Sequence, residues 1–286
     1  MTVTTLTDTE FRILDALRVY RYLTAEQMLR LKVSAQPSHL YAVLREVSGR
    51  KRPWVGKIDH GAMPGVGRIP AAHYLTEHGA KVLSGALALE PADVPYPKGV
   101  VLVRHGFLHR LHTIDCEIAI RTWAVGNGHT VDSLSSYFDV TGANRSKTKP
   151  RRRAVTKIDL ADGTGIIPDC VFHLTGPDGT PRLFVLEMYN QYRTKRMADK
   201  LAEYRYAIGE HAIEKQFEYP HSPRILAVFE DDKALELTQR HLSQRADFGA
   251  EFFPFFFFQT LPEFMADFRN GWRKIGDTRQ ATLFQV

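Results

Sequence analysis

Two apolar segments, each with one acidic residue, constrain the fold of this chain most strongly. Residues 166–174 contain Asp169, and residues 182–190 contain Glu187. A Gly-Pro-Asp-Gly turn at 176–179 separates them, so they are predicted to form a β-hairpin. Buried strands seldom hold a carboxylate unless a cation meets it. The alternative is that these acids lie on edge strands and face water. One such acid fits this alternative, but two acids on paired strands favour a shared cation.

The two acids predict a divalent-cation site. Neighbouring strands lie about 4.8 Å apart, so both carboxylates can reach one metal ion. Hard oxygen ligands suit Mg²⁺ or Mn²⁺ at about 2.1 Å. Such an ion polarises a phosphoryl oxygen and activates an attacking nucleophile.

The segments around this hairpin predict a mixed α/β domain with helices on a central sheet. Helices are expected at 106–124 and 194–209, and further strands at 131–140, 154–160 and 225–229. The segment EFFPFFFFQT at 251–260 contains six phenylalanines. A buried strand broken at Pro254 explains it more simply than a platform for stacking unpaired bases.

The first part of the chain predicts a separate small domain. Capping patterns at 7–10 and 24–27 begin two helices, and Leu40, Val43, Leu44 and Val47 mark a third. A hairpin fits 54–58 and 72–75, and a closing helix fits 76–83. This order resembles a winged helix-turn-helix domain, whose third helix enters the DNA major groove. The alternative is a small helical domain that binds protein.

Prolines at 91, 95 and 97 interrupt the next stretch and predict a linker. The expected organisation is therefore a winged helix-turn-helix domain at 1–88, a proline-rich linker at 89–104, a nuclease-like α/β domain at 105–270 and a C-terminal tail at 271–286.

The net charge of +6 is unevenly distributed, which suggests a polyanion such as DNA as the partner. Seven basic residues and no acid lie within 145–157. Another basic group follows the third helix, and a third begins the helix after Glu187. The candidate DNA-binding residues in these groups are Arg45, Arg50, Lys51, Arg52, Arg151, Arg152, Arg153, Arg193 and Arg196.

The composition of the 286 residues, 44% hydrophobic and 24% charged, is typical of a soluble globular protein. Its two cysteines, Cys116 and Cys170, need not pair. No apolar leader or run of membrane-spanning length is present, so we expect a cytoplasmic protein without a membrane partner.

Several segments together resemble a known nuclease class. The Pro168-Asp169 pair, the hairpin and Glu187 resemble the PD-(D/E)xK nuclease core. More narrowly, IIPDCVFHL, FVLEMYNQYRTKR and KLAEYRYAI, behind a winged helix, resemble the replication-relaxation family and its MobC-type mobilization relaxases. The resemblance implies a metal-dependent DNA nickase at a plasmid transfer origin. It also implies accessory mobilization proteins or a coupling protein as further partners.

One departure from the nuclease pattern affects the site. The lysine expected two residues after Glu187, which stabilises phosphate charge, is replaced by Tyr189. Lys195 or Lys200 on the next helix could substitute for it. Alternatively, Tyr189 could be a covalent nucleophile, or the site could be inactive and the protein a DNA-binding regulator of plasmid replication or transfer. A restriction-type enzyme that cuts both strands is a third possibility.

The helix at 106–124 offers further candidate ligands. The first helix of this nuclease class often supplies an acid, so the resemblance points to Glu117 or Asp115 as an additional metal ligand; both could equally be surface acids. His109, His112 and Cys116 share a face, but no second ligand cluster supports a zinc site.

The tail suggests one more partner. Gln280, Leu283 and Phe284 match the short peptide by which DNA-processing proteins bind the bacterial sliding clamp. This requires residues 280–284 to be a free extended peptide. The alternative is that Leu283 and Phe284 pack on their own domain.

Overall fold

The computed structural model describes residues 5–63, 65, 67–97, 104–142, 153–190 and 193–284. The chain is a mixed α+β protein with a mostly helical part and a sheet-rich part. The two compact units are residues 1–118 and 119–286, so the division falls within a helix and later than the proline-rich segment. No helix among the described residues is long and apolar enough to cross a membrane.

The first unit begins with three helices and ends in a long one. Its helices are α1 (Asp8–Tyr20), α2 (Ala25–Arg30), α3 (Pro37–Gly49), α4 (Glu77–Leu87) and α5 (Arg104–Gly126), the last of which continues into the second unit. Its strands are β1 (Tyr22–Leu23), β2 (Val55–Ile58), β3 (Ala62–Met63), β4 (Gly67–Arg68) and β5 (Ala72–Leu75).

Local sequence signals explain these elements. Thr7 and Thr24 each form a capping box at the start of α1 and α2, as the sequence predicts. The predicted hairpin is confirmed, because β2 pairs antiparallel with β5, with Val55 opposite Leu75. The apolar faces of α1 and α3 are buried.

A large sheet forms the second unit. The described strands of the unit are β6 (Thr130–Ser136), β7 (Val140–Thr141), β8 (Arg153–Ala154), β9 (Ile158–Asp159), β10 (Gly165–Ile166), β11 (Cys170–Thr175), β12 (Pro181–Tyr189), β13 (Arg224–Phe229), β14 (Phe256–Thr260), β15 (Trp272–Lys274) and β16 (Asp277–Ala281). Strands β7 and β8 pair with each other, as do β9 and β10, outside the large sheet. Its further helices are α6 (Thr194–Gly209), α7 (Ala212–Gln216), α8 (Asp232–Ser243) and α9 (Leu261–Ala266).

The central sheet has the order β16-β15-β14-β13-β12-β11-β6 in the described part of the chain. Strands β12, β13 and β14 are parallel neighbours, and β11 and β12 are the predicted antiparallel hairpin. In its turn, Gly179 has a φ of 73°, which glycine adopts without steric cost. Helices α6 and α8 contribute Leu201 and Leu235 to the core on one face of the sheet.

Two strands expected in the second unit are interrupted. The strand expected at 131–140 ends at Ser136 and resumes only as the short β7 (Val140–Thr141). The strand predicted at 154–160 is interrupted by a turn, which separates β8 from β9. In this turn the Lys157 amide donates a hydrogen bond to the Ala154 carbonyl at 3.2 Å. The phenylalanine segment is a 3₁₀ turn at Ala250–Phe255 followed by the buried strand β14. Pro254 lies within that turn, so the predicted break is confirmed.

The C-terminal residues do not form the free extended peptide that clamp binding requires, and the alternative, packing of Leu283 and Phe284 on their own domain, is confirmed. Strand β16 pairs with β15, and the Leu283 amide donates to the Arg269 carbonyl at 2.9 Å. Leu283 and Phe284 are buried, and the Phe284 ring stacks on Trp123 with the ring centroids 5.2 Å apart. The apolar pair that would fill a sliding-clamp pocket instead fills the core of its own unit.

Candidate functional site

The β11–β12 hairpin brings Asp169 and Glu187 to the same end of the sheet. Cys170 pairs with Leu186, so continuing this register by one residue places Asp169 opposite Glu187. Directly opposite residues point to the same face of a sheet. The Asp169 carboxylate accepts a hydrogen bond from the Met188 amide at 2.8 Å, which fixes the acid against β12.

Glu187 lies at the centre of a polar cluster that includes two residues of α6. Its side chain is 0% exposed, yet both of its oxygens have donors. The Lys200 ammonium donates to Oε2 at 2.5 Å, and the Tyr204 hydroxyl donates to Oε1 at 2.5 Å. Residues four apart share one face of a helix, so α6 presents both donors together. We call Asp169, Glu187, Lys200 and Tyr204 the acid–lysine cluster.

The strand explains why this acid is buried. Leu183, Val185 and Tyr189 alternate with residues of the other face and pack against α6 in the main core. Glu187 shares their face and therefore points toward the same helix. The Lys200 side chain retains 35% exposure, so the cluster reaches solvent through the lysine.

Burial and the mutual charges of its members shift the pKa values in the acid–lysine cluster. Burial raises the pKa of Glu187 to about 7, although Lys200 opposes the shift and the Asp169 charge adds to it. Burial alone would lower the pKa of Lys200, but the Glu187 and Asp169 carboxylates raise it above its ordinary value. Lys200 is therefore protonated at neutral pH, while the acids destabilise each other's charge.

Tyr189 occupies the position where the nuclease pattern has its lysine. Its ring stacks on Phe229 with the centroids 5.1 Å apart. Its hydroxyl is buried and has no hydrogen-bond partner among the described residues. Burial and the Glu187 charge raise the pKa of Tyr189 well above the ordinary value. A buried, protonated hydroxyl is a poor nucleophile, so this geometry disfavours the covalent role.

The other candidates near the start of α6 point to solvent. Lys195 and Arg196 are exposed in the first turn of α6, and Arg193 is exposed at its N-terminal boundary. Of the two lysines considered as replacements, Lys200 is the one bonded to Glu187.

The candidate acids of α5 lie in the first unit. The Asp115 carboxylate accepts from Gln27 Nε2 at 2.7 Å and from Arg30 Nη2 at 2.6 Å, so it connects α5 to α2. Burial raises the pKa of Asp115, and Arg30 opposes that shift. These contacts give Asp115 a structural role. Glu117 is buried on the same helix, and its metal role stays a prediction.

A divalent cation fits the chemistry of the acid–lysine cluster, but the cluster supplies few ligands. Among the described residues, no group of three His, Cys, Asp or Glu side chains is placed to hold a metal ion, which gives the zinc alternative no support. Mg²⁺ commonly uses one or two carboxylates and takes water and phosphate oxygens as its other ligands. Asp169 and Glu187 are two such carboxylates, but both Glu187 oxygens already accept hydrogen bonds from Lys200 and Tyr204.

The basic residues of the first unit differ in their surroundings. Arg45, Lys51 and Arg52 are exposed at or just beyond the end of α3. Arg50 instead donates to Glu10 at 2.6 Å and to Glu46 at 2.7 Å, and its guanidinium lies 3.5 Å from the centroid of the Trp54 ring. Arg50 therefore stabilises the unit itself.

The basic segment at 145–157 lies largely outside the described residues. Arg151 and Arg152 belong to the part that is not described. Arg153 is the first residue of β8 and forms an ion pair with Asp159 at 2.7 Å.

The sequence interpretation did not identify Tyr204 as a site residue. Its signal was its position four residues after Lys200 on an amphipathic helix, but tyrosines in such positions commonly pack in cores. Only the hydrogen bond to Glu187 distinguishes it.

Comparisons of the chain with protein-family models, with curated proteins and with solved structures find no match.

Proposed function

We propose that this protein is a metal-dependent DNA nickase of the relaxase kind, acting at a plasmid transfer origin in the cytoplasm. The ion pair between Lys200 and the buried Glu187, opposite Asp169, is the observation that carries the proposal. It brings together two acids and a lysine, which are the components of a PD-(D/E)xK site, although the lysine comes from α6 rather than β12.

Each residue of the acid–lysine cluster has a distinct task under this proposal. Asp169 and Glu187 would hold Mg²⁺ or Mn²⁺, and the bound ion supplies Lewis-acid activation of the scissile phosphate. Lys200 stabilises the negative charge that develops on the phosphate, because its protonated ammonium is directed to the site and partly exposed. Tyr204 is a positioning residue that orients the Glu187 carboxylate by its hydrogen bond.

The first unit supports a DNA-locating role. Helices α1–α3 followed by the β2–β5 hairpin and α4 have the order of a winged helix-turn-helix domain. Arg45 lies on an exposed position of α3, and Lys51 and Arg52 follow its end. These three cations suit contacts to DNA phosphates. Mobilization or coupling proteins are the further partners that a nickase of this kind requires.

A second function, non-catalytic DNA binding with a degenerate nuclease core, is favoured by one observation. Both oxygens of Glu187 already accept hydrogen bonds, and Tyr189 replaces the strand lysine. Such a closed cluster stabilises a fold without any metal. This alternative shares the winged helix and differs only in the chemistry of the second unit.

The test is incubation of the full-length chain with supercoiled plasmids that carry candidate transfer origins. We expect relaxed circles with Mg²⁺ or Mn²⁺ and none with EDTA. Protein-bound DNA that stays supercoiled would favour the regulator, and linear products would favour a restriction-type enzyme. Asp169→Asn is the matched inactive variant. Its side-chain amide oxygen can still accept the hydrogen bond from the Met188 backbone amide.

A further inference from the structure

A second polar site lies at the other end of the central sheet. It is a cavity of about 500 Å³ within the second unit, which we call the basic pocket. The described residues that line it carry three cations and no acid, and they include Arg182, Arg224, Phe257, Lys274, Gln280 and Thr282. Arg182 precedes Glu187 by five residues on β12, which corresponds to roughly 16 Å along an extended strand. The basic pocket is therefore distinct from the acid–lysine cluster.

Arg224, the first residue of β13, is the unusual member of the basic pocket. Its Nη1 atom is buried and has no hydrogen-bond partner among the described residues. Its guanidinium lies 5.8 Å from the centroid of the Phe257 ring. Burial and the neighbouring Arg182 charge both lower the pKa of Arg224. A buried guanidinium donor without an acceptor is costly, so the position favours an anionic ligand.

The other two cations are only partly neutralised. Arg182 donates to the exposed Asp178 at 3.2 Å, and its guanidinium lies over the Phe284 ring. Lys274 lies opposite Asp277 in the β15–β16 pairing, and its ammonium is 4.7 Å from the Phe257 ring centroid. The Asp277 carboxylate accepts a hydrogen bond from Arg279, so its negative charge is divided between Arg279 and Lys274. The described lining of the pocket therefore carries a net positive charge.

We propose that the basic pocket binds a phosphate group. Arg224 donates a hydrogen bond to it through Nη1, and the positive charges of Lys274 and Arg182 neutralise its remaining negative charge. Arginine is suited to phosphate because its planar donors match two oxygens at once. The phosphate can belong to a nucleic-acid strand or to a free nucleotide or pyrophosphate. The shared chemistry is the phosphate group, and the proposal does not rest on nuclease activity.

The test measures pyrophosphate binding to the full-length chain by calorimetry at low ionic strength. We expect saturable binding to the original chain and an affinity at least about tenfold weaker in Arg224→Gln, because a charge-assisted hydrogen bond is removed. Lys274→Gln provides a second variant with the same expected direction. Arg240→Gln is the control, since Arg240 is exposed on α8 and is not among the described lining residues of the pocket.

Competition then identifies the source of the phosphate. Displacement of pyrophosphate by a short single-stranded oligonucleotide would assign the pocket to a nucleic-acid strand, whereas displacement by ADP alone would assign it to free nucleotides. Absence of pyrophosphate binding at about millimolar concentration, or equal weakening in Arg224→Gln and Arg240→Gln, would overturn the proposal. Circular dichroism of each variant verifies that its fold is retained.

Discussion

Lys200 on α6 and Glu187 on β12, thirteen residues apart in sequence, form an ion pair in which the ammonium lies 2.5 Å from the carboxylate. The helix thereby supplies the cation that the strand lacks, because the strand position for a lysine holds Tyr189. A buried carboxylate without such a partner would favour its neutral form even more strongly. The pair explains how the chain tolerates an acid in the centre of its sheet.

Replacing Lys200 tests whether the lysine acts in chemistry. In Lys200→Met we expect nicking to fall on the order of 10²–10³-fold, since one donor to the developing phosphate charge is removed. Lys195→Met is the matched control, because Lys195 lies on the same helix but is exposed. Gel analysis of supercoiled DNA gives the rates. Equal rates for the two variants would remove Lys200 from the reaction.

The raised pKa of Glu187 predicts a pH-dependent stability. The ordinary pKa is 4.5 and the folded value is about 7, so the folded state binds the proton more tightly between these values. The stabilising contribution of this group is complete below about pH 4.5 and is lost as the pH rises through about 7.

Denaturant unfolding of the original chain and of Glu187→Gln at several pH values measures this effect. We expect the free energy of unfolding of the original chain to fall relative to the variant between about pH 4.5 and 7, by on the order of a few kcal/mol. A difference that is flat over this range, or that rises with pH, would show that the carboxylate is ionised throughout.

The hairpin at the site was predictable because its signals are local. The apolar, largely buried runs of β11 and β12, the Gly-containing turn and the uninterrupted register all lie within residues 170–189. The facing positions of Asp169 and Glu187 follow from the same register. These features need no knowledge of the rest of the chain.

The partners of Glu187 were harder to predict, because they depend on how a helix packs over the sheet. The sequence left Lys195 and Lys200 as equal alternatives, and the rotation of α6 about its axis selects Lys200. Asp115 shows the same limit, because its bonds to Gln27 and Arg30 depend on the packing of α5 against α2. The tail was left with two alternatives, because a short Leu-Phe motif does not reveal which surface it contacts.

The buried C-terminal residues predict a loss of stability when they are truncated. Leu283→Ala or Phe284→Ala should destabilise the protein by about 2–5 kcal/mol, since each removes a fully packed side chain. Val125→Ala, at an exposed position of α5, should change stability by no more than about 0.5 kcal/mol. Thermal unfolding compares the three. Similar midpoints for all of them would mean that the tail is not part of the core.

Charge neutralisation tests the DNA-binding surface of the first unit. We expect Lys51→Gln combined with Arg52→Gln to weaken duplex binding and to flatten the dependence of log affinity on log salt by about 0.9 for each phosphate that is no longer neutralised. Arg12→Gln with Lys32→Gln removes the same charge from exposed positions elsewhere on this unit. Fluorescence anisotropy at several salt concentrations measures both pairs. Equal slopes in the two double variants would place DNA on another surface.

Binding of Mn²⁺ to the acid pair tests the proposed function most directly. Electron paramagnetic resonance of free Mn²⁺, titrated with the full-length chain and duplex DNA, counts the bound ions. We expect one site per chain in the original protein, its loss in Asp169→Asn, and its retention in Asp199→Asn, where the acid is exposed on α6. Absence of binding by the original chain, or equal binding by Asp169→Asn, would contradict the metal site and leave the non-catalytic DNA-binding function.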